Sequence, residues 1–319
     1  MSSILLSRAR RRVPTAIAAT AVLATVVSAC ATTAPTASTT SASGGSGKTV
    51  TVVAAENFWG SIAKQLGGSH ATVTSIITNP DTDPHDYEPT TSDGRTIASA
   101  QLAIVNGIGY DPWATKLLAA NATPGQTVLN VGDLVGIPIN GNPHRWYSQT
   151  NVRQVVAQIT ADYKKADPAD AAYFDQQQQT FETQTLAQYN SLISTIKAKY
   201  AGTPIGASES IVTPLAQSLG LTMLTPEGFL DAISEGTEPT AADKATIDAQ
   251  IKNKQIKIYV FNSQNSTPDV QAQVAEAKAE SIPVTTVTET LAPASDTFEQ
   301  WQVSELQGIQ AALAKATGK

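Results

Sequence analysis

The sequence predicts an α/β protein of two lobes, each a roughly four-stranded parallel sheet flanked by helices, joined by one long connecting helix. Three observations carry this expectation. Short β-rich runs alternate with helical periodicity from residue 49 onward, a set of about four strands occurs twice, and one uninterrupted helical pattern separates the two sets.

In the first set, 49–54 reads as a buried strand and 57–66 as a helix closed by Gly67-Gly68. Further strands are expected at 73–77, 102–105 and 127–131, and helices at 92–98, 112–120 and 151–165. The last of these has its apolar stripe at Val152, Val155, Val156, Ile159 and Tyr163. Strands separated by helices argue for a parallel sheet covered on both faces. The second set places strands at 204–207, 221–224, 257–261 and 284–287, with helices at 211–219, 241–253, 268–280 and 297–314. Pro268 suits a first helical position behind Ser266 and Thr267.

Between the sets, 168–200 reads as a single helix. Asp167 can cap it, Pro168 suits its first position, and Ala201-Gly202 ends it. At 1.5 Å per residue it spans about 50 Å, the length of two lobes rather than one. The resulting division is a lobe over 49–167, the connector over 168–200 and a second lobe over 201–319.

The first 48 residues read differently. Arg8 to Arg12 form a basic cluster, 16–29 is Ala/Val/Leu-rich without a charge, and Val27-Ser28-Ala29 leads into Cys30. That apolar stretch is too short to span a bilayer but suits a signal-peptide core over 1–30. Its ending resembles the bacterial lipoprotein signal, which implies lipidation of Cys30, membrane anchoring and an extracytoplasmic location. Residues 31–48 carry no large apolar side chain and form a flexible tether, because they cannot bury enough surface to offset ordering entropy.

Composition narrows the function classes. Removing residues 1–30 takes four arginines from the 21 basic residues and no acid, which leaves 17 against 27 acidic residues and a net charge near −10. That sign disfavours nucleic acid, whose affinity comes from Lys and Arg meeting phosphates. One cysteine excludes a disulfide within the monomer and a thiolate metal site.

Only three histidines occur, and two share a context: Asp83-Pro84-His85-Asp86-Tyr87 and Asn142-Pro143-His144-Arg145-Trp146. Both follow predicted strands, where open α/β sheets bind ligands. Proline stiffens the backbone before each imidazole and the aromatic can shield it. His70, after Gly67-Gly68-Ser69, reads as a solvated loop residue. Among the acids, Glu209 follows strand 204–207 and Asp296 opens the last helix, although a favourable helix-end charge or an N-cap explains each equally well. Residue chemistry alone therefore leaves two imidazoles and several candidate carboxylates.

Four segments settle the choice by resemblance. DPHDYEPT (83–90), NPHRW (142–146), ASES (207–210) and SDTFEQW (295–301) resemble the ligand segments of the zinc- and manganese-binding lipoproteins of ABC importers. ENFWGSIAKQLGG (56–68), NGIGYDPW (106–113) and the long helix extend the likeness over 49–319. The resemblance implies two lobes with metal between them, and His85, His144, Glu209 and Asp296 as ligands, with Glu299 the alternative if the last helix starts later. It also implies Zn²⁺ or Mn²⁺ as transported ligand without a catalytic cofactor, an ABC permease and its ATPase as partners, and a monomeric receptor.

Two imidazoles and two carboxylates suit Zn²⁺ or Mn²⁺, whereas Cu(I) favours sulfur. Monodentate carboxylates give a four-coordinate site fit for Zn²⁺; bidentate ones raise the ligand number toward Mn²⁺. Neutral imidazoles are required, so affinity is expected to fall below about pH 6.5. Two other readings compete. A metallohydrolase needs an open ligand position and a general base, and no HExxH or GxSxG element occurs. An adhesin or organic-solute receptor should show convergent arginines, and after residue 30 only Arg95, Arg145 and Arg153 occur, with Arg145 alone beside a proposed ligand.

Overall fold

The computed structural model describes residues 48–319. The expected signal segment with Cys30, and the tether up to its last residue, lie outside the described residues.

The first half opens with β1 (Val50–Glu56) and α1 (Asn57–Gly67), then β2 (Ala71–Ile77). It continues through α2 (Thr91–Ala98), β3 (Leu102–Val105), α3 (Pro112–Ala120), β4 (Thr127–Asn130), α4 (Val131–Val135) and α5 (Gln149–Ala166). The four strands form one sheet of order β2-β1-β3-β4, every pairing parallel. β3 is buried at every position, as expected of a central strand covered by helices on both faces. β2, at the edge, alternates partly buried and exposed positions along most of its length.

The joining segment comprises α6 (Ala171–Thr180) and α7 (Ala187–Tyr200). The second half then runs β5 (Pro204–Ala207), α8 (Val212–Leu219), β6 (Thr222–Met223), α9 (Glu227–Ser234) and α10 (Ala241–Lys252). It ends with β7 (Ile258–Asn262), α11 (Pro268–Ala279), β8 (Val284–Val287) and α12 (Phe298–Thr317). Its sheet has the order β6-β5-β7-β8, again wholly parallel. The two sheets share one topology, with the first strand of each half second in spatial order.

Local chemistry explains many helix starts. Thr90 and Asp93 form a reciprocal capping box at α2, and the side chains of Ser148, Thr240 and Thr267 accept from backbone N–H groups at the starts of α5, α10 and α11. Two helices were not anticipated. Val131, expected to close a strand, instead begins α4 behind the capping Asn130. α9, expected as loop, buries Phe229, Leu230 and Ile233, a spacing too short to register as periodic.

The joining segment departs from a regular α-helix. It starts with a 3-10 turn at Pro168–Asp170, follows α6, widens into a π-turn at Phe181–Thr185, and resumes as α7. The cause lies in its apolar spacing. Phe181 and Leu186 are five residues apart, a step that an α-helix would turn onto different faces. The wider turn, closed by the Leu186 N–H donating to the Phe181 carbonyl at 2.8 Å, keeps both buried. α6 packs on α1 and α5 of the first half, while α7 packs on α8 and α12 of the second.

If the π-turn is a one-residue accommodation, removing exposed Gln184 should leave Phe181 and Leu186 one ordinary turn apart. We expect that deletion to lower the melting temperature by only a few degrees. Deleting exposed Ser194 within α7 rotates Ile196 and Tyr200 by about 100° and should cost far more. Thermal denaturation followed by circular dichroism compares the two, and equal losses would refute this account of the turn.

Candidate metal centre

Glu209 and Glu289 sit just past the carboxyl ends of strands, His85 in the loop after β2, and His144 in the loop after α4. His85 lies on the loop after β2, whose backbone is fixed by the Trp113 indole N–H donating to the Pro84 carbonyl at 3.1 Å. The Asp83 carboxylate accepts from the His85 N–H at 2.8 Å. The aromatic that covers this imidazole is Tyr110, edge-on at 4.7 Å between ring centres. Tyr87, expected to shield it, packs on Trp113 instead. His85 Nε2 is buried without a hydrogen-bond partner.

His144 is completely buried. Its Nδ1 lies 3.1 Å from the Asn142 side-chain oxygen, and Asn142 spends its amide N–H on the Ser210 carbonyl at 2.6 Å. The amide oxygen therefore faces the ring, Nδ1 carries the proton, and Nε2 keeps its lone pair for a ligand. Trp146 stands edge-on to the ring at 5.3 Å, the shielding anticipated for this element.

Glu209 lies two residues past β5 and is fully buried. Glu289 occupies the equivalent position two residues past β8. Ligand atoms of His144, Glu209 and Glu289 all lie within 4.8 Å of one another, with His144 Nε2 3.6 Å from Glu289 Oε2. Asn262, at the end of β7, bridges the two carboxylates by donating from Nδ2 to Glu209 at 2.6 Å and to Glu289 at 3.0 Å. Asn265 donates to the second oxygen of Glu209 at 2.7 Å, and the Tyr110 hydroxyl donates to Glu289 at 2.9 Å.

Of the four expected ligands, His144 and Glu209 fall in this group, whereas His85 and Asp296 lie outside its 4.8 Å limit. Asp296 lies apart from the strand ends. It stands in the turn before α12, its N–H donating to the Pro293 carbonyl, seven residues beyond Glu289. The last helix begins at Phe298 with Thr297 as its cap, which leaves Asp296 outside both the helix end and the strand end. Glu299 is committed elsewhere, accepting from the Gln65 amide at 2.9 Å and from the Thr297 hydroxyl. The parallel with Glu209 was the available signal: Glu289 is the first acid past its strand, as Glu209 is past β5. Asn262 closes the apolar run of β7 and carried no such mark. His70 also differs from its expected solvated state. It is half-buried, 2.9 Å from Asp170 and stacked on Tyr173 at 3.9 Å.

Two features hold the donor loops. Gly107, Ile108 and Gly109 all have positive φ, of 71°, 63° and 90°, a conformation that costs a β-branched residue strain. This tight turn, pinned by Asp111 accepting from the Asn106 and Gly107 N–H groups, presents Tyr110 to both histidines. Half-buried Glu305 accepts from the Tyr147 hydroxyl at 2.7 Å, the Thr288 N–H at 2.9 Å and the Trp301 indole at 2.9 Å. It thereby ties the chain three residues past His144 to the residue before Glu289.

Electrostatics at the site oppose an empty charged state. Burial lowers both imidazoles, with His144 brought down to about 4. Burial also raises Glu209 well above the usual carboxylate range and raises Glu289, the facing carboxylates adding to the effect on Glu209. Both shifts favour the neutral forms, imidazoles free to donate a lone pair and carboxylates that release their protons less readily than exposed acids do.

Beside the cluster lies a cavity of about 780 Å³, lined among others by His85, Pro143, Arg145 and Ser210. The arrangement defines a class: an α/β protein of two parallel sheets with nitrogen and oxygen donors converging from the strand ends of both. Residues 52–312 match the family described as zinc-uptake complex component A, periplasmic, and the chain belongs to that family. It is 27% identical over 133 residues to the manganese-binding lipoprotein MntA of Halalkalibacterium halodurans, covering 40% of this chain and 43% of that protein. It is 24% identical over 242 residues to the manganese ABC transporter substrate-binding lipoprotein PsaA of Streptococcus pneumoniae, covering 70% and 75%. The chain spans under half the length of the first curated relatives it matches. In fold it is similar to the Mn-bound periplasmic metal binding protein of Candidatus Liberibacter asiaticus, with a TM-score of 0.68 at 20% identity over 83% of this chain and 99% of that one.

Two outcomes are expected. Because burial raises both carboxylates and lowers His144, binding of a divalent cation on the acid side of neutrality should release protons from the carboxylate pair rather than from the imidazole. Calorimetry in buffers of different ionisation enthalpy measures the release, and none down to about pH 5 would contradict raised carboxylates. Affinity should then decline on acidification through protonation of the carboxylates, before His144 titrates. Replacing the bridging donor, Asn262→Leu, should weaken cation binding roughly 10–100-fold, read by competition with a chelating dye.

Proposed function

We propose that this protein is the extracytoplasmic substrate-binding component of an ABC importer, which captures one divalent transition metal ion and delivers it to the permease. The observation that carries this reading is the convergence of His144, Glu209 and Glu289 within 4.8 Å, with His85 presenting a buried, unpartnered Nε2 beside them. Two neutral imidazoles and two carboxylates are the donors of an intermediate, oxygen-tolerant site. Two anionic ligands cancel the charge of a dication that is closed off from water.

Zn²⁺ and Mn²⁺ are the ions we assign. The family description supports the first, and the names of the relatives above support the second. Asn262, Asn265 and Tyr110 between them donate to both oxygens of each carboxylate, which orients Glu209 and Glu289. One-oxygen coordination by both would give a four-coordinate ion suited to Zn²⁺, and two-oxygen coordination a higher number suited to Mn²⁺. Four protein donors leave little room for an activated water, which favours a receptor over a hydrolase. Lipidation at Cys30, anchoring at the membrane surface, the monomeric state and work with a permease and ATPase belong to the same proposal. Among the described residues no helix is long and apolar enough to cross a membrane.

Elemental analysis and calorimetry on protein beginning at Thr49 should find one Zn²⁺ or Mn²⁺ per chain. His85→Ala/His144→Ala should abolish tight binding. Glu289→Ala should weaken it at least 100-fold, whereas Asp296→Ala should leave it unchanged. Tight binding that survives loss of both histidines would remove the proposed site.

A further inference from the structure

A bare cation does not need the space that adjoins its donors. The cavity of about 780 Å³ falls within the range of small-molecule sites, about 300–1,000 Å³, whereas a single water-sized guest needs roughly 10–15 Å³. Its wall carries charge of both signs. Arg145 lines it while only 9% exposed, its Nε is buried without a hydrogen-bond partner, and no ion pair among the described residues includes it. A guanidinium withdrawn from water in this way costs free energy until an anion meets it. Its place is fixed, since it follows His144 directly and opens a short 3-10 turn.

Glu227, Asp231 and Glu235 line the same cavity, spaced four residues apart along α9 and its cap. Partial burial of Asp231, and then repulsion from exposed Glu227 and Glu235, raise the Asp231 pKa, so the stripe is short of positive charge. Yet it does not pair with Arg145. Two unmatched charges of opposite sign on one cavity wall call for a guest that carries both complements. Thr213, Gln217 and Thr225, also on the wall, add neutral hydrogen-bonding groups.

We propose that this cavity binds a small zwitterionic aminocarboxylate, of the free amino-acid class, with its carboxylate on Arg145 and its ammonium group toward the Glu227, Asp231 and Glu235 stripe. The proposal deepens the receptor reading and rests on it only for the neighbouring ion. An anionic chelator alone would be repelled by the three carboxylates, and a polyamine would leave the guanidinium unmet. The zwitterion fills the space over His85, excludes water from the ion beneath it, and makes ion and organic guest bind with positive coupling.

The test is a thermal-shift and calorimetric screen of Zn²⁺-loaded protein against the individual free amino acids at millimolar concentration. We expect at least one to bind at one per chain and to raise the apparent affinity for Zn²⁺. Arg145→Gln should weaken that amino acid at least tenfold while the ion stoichiometry stays at one. Arg145→Lys should retain part of the binding, and Glu227→Gln/Asp231→Asn/Glu235→Gln should weaken it as well. Failure of every amino acid to bind wild-type protein would overturn the proposal, as would equal binding by folded Arg145→Gln. An amino acid that binds a protein unable to hold Zn²⁺ would uphold this cavity and overturn the metal reading instead.

Discussion

Two carboxylates facing each other away from water set the terms for the rest of this molecule. At about 4 Å and an effective dielectric near 20, two like charges repel by about 4 kcal/mol. A hydrogen bond to a charged group returns about 1.5–3 kcal/mol net. Asn262 donates one such bond to each of Glu209 and Glu289, about 3–6 kcal/mol together, which is comparable with the repulsion. Burial still penalises each charge, and a proton or, on the proposed reading, a dication relieves both penalties at once.

The fold exists in the form that brings those charges together. β5, β7 and β8 are neighbours in one parallel sheet, so the residues at or just past their carboxyl ends meet at one end of it. Glu209, Asn262 and Glu289 are those residues. His85 and His144 come from loops of the other sheet, carried by the tight turn that presents Tyr110 and by the Asn142 bond to the Ser210 carbonyl. Buried aromatic packing stiffens this support, with Phe58 stacked on Trp146 at 4.0 Å and Trp59 bound to Asn106 at 3.0 Å. The polar donor cluster is thus held against a rigid apolar wall.

Most of this architecture was legible in the residues. Strand runs such as Leu102–Val105 and capped helices such as α11 follow from composition and spacing, because local signals there agree with tertiary packing. The π-turn was not legible as such, since the five-residue step from Phe181 to Leu186 is visible in the sequence but its resolution depends on neighbouring helices. At the site, the histidine elements were conspicuous because histidine is scarce. Carboxylates are abundant, so residue chemistry left several open, and it was the family resemblance that pointed to Asp296, beside a strong helix-start signal. Strand topology separates it from Glu289. Asn262 escaped notice because an amide acquires meaning only from the two acids it faces.

The donors also differ in how far apart they lie along the chain, from residue 85 to residue 289. Both imidazoles belong to the first half, whereas the first carboxylate requires β5 and the last requires β8, near the end of the chain. Even His144 leans on the second half, through the Asn142 bond to the Ser210 carbonyl. Neither half alone assembles the donor set, so on the proposed reading tight capture of a dication is itself a test that both halves have docked.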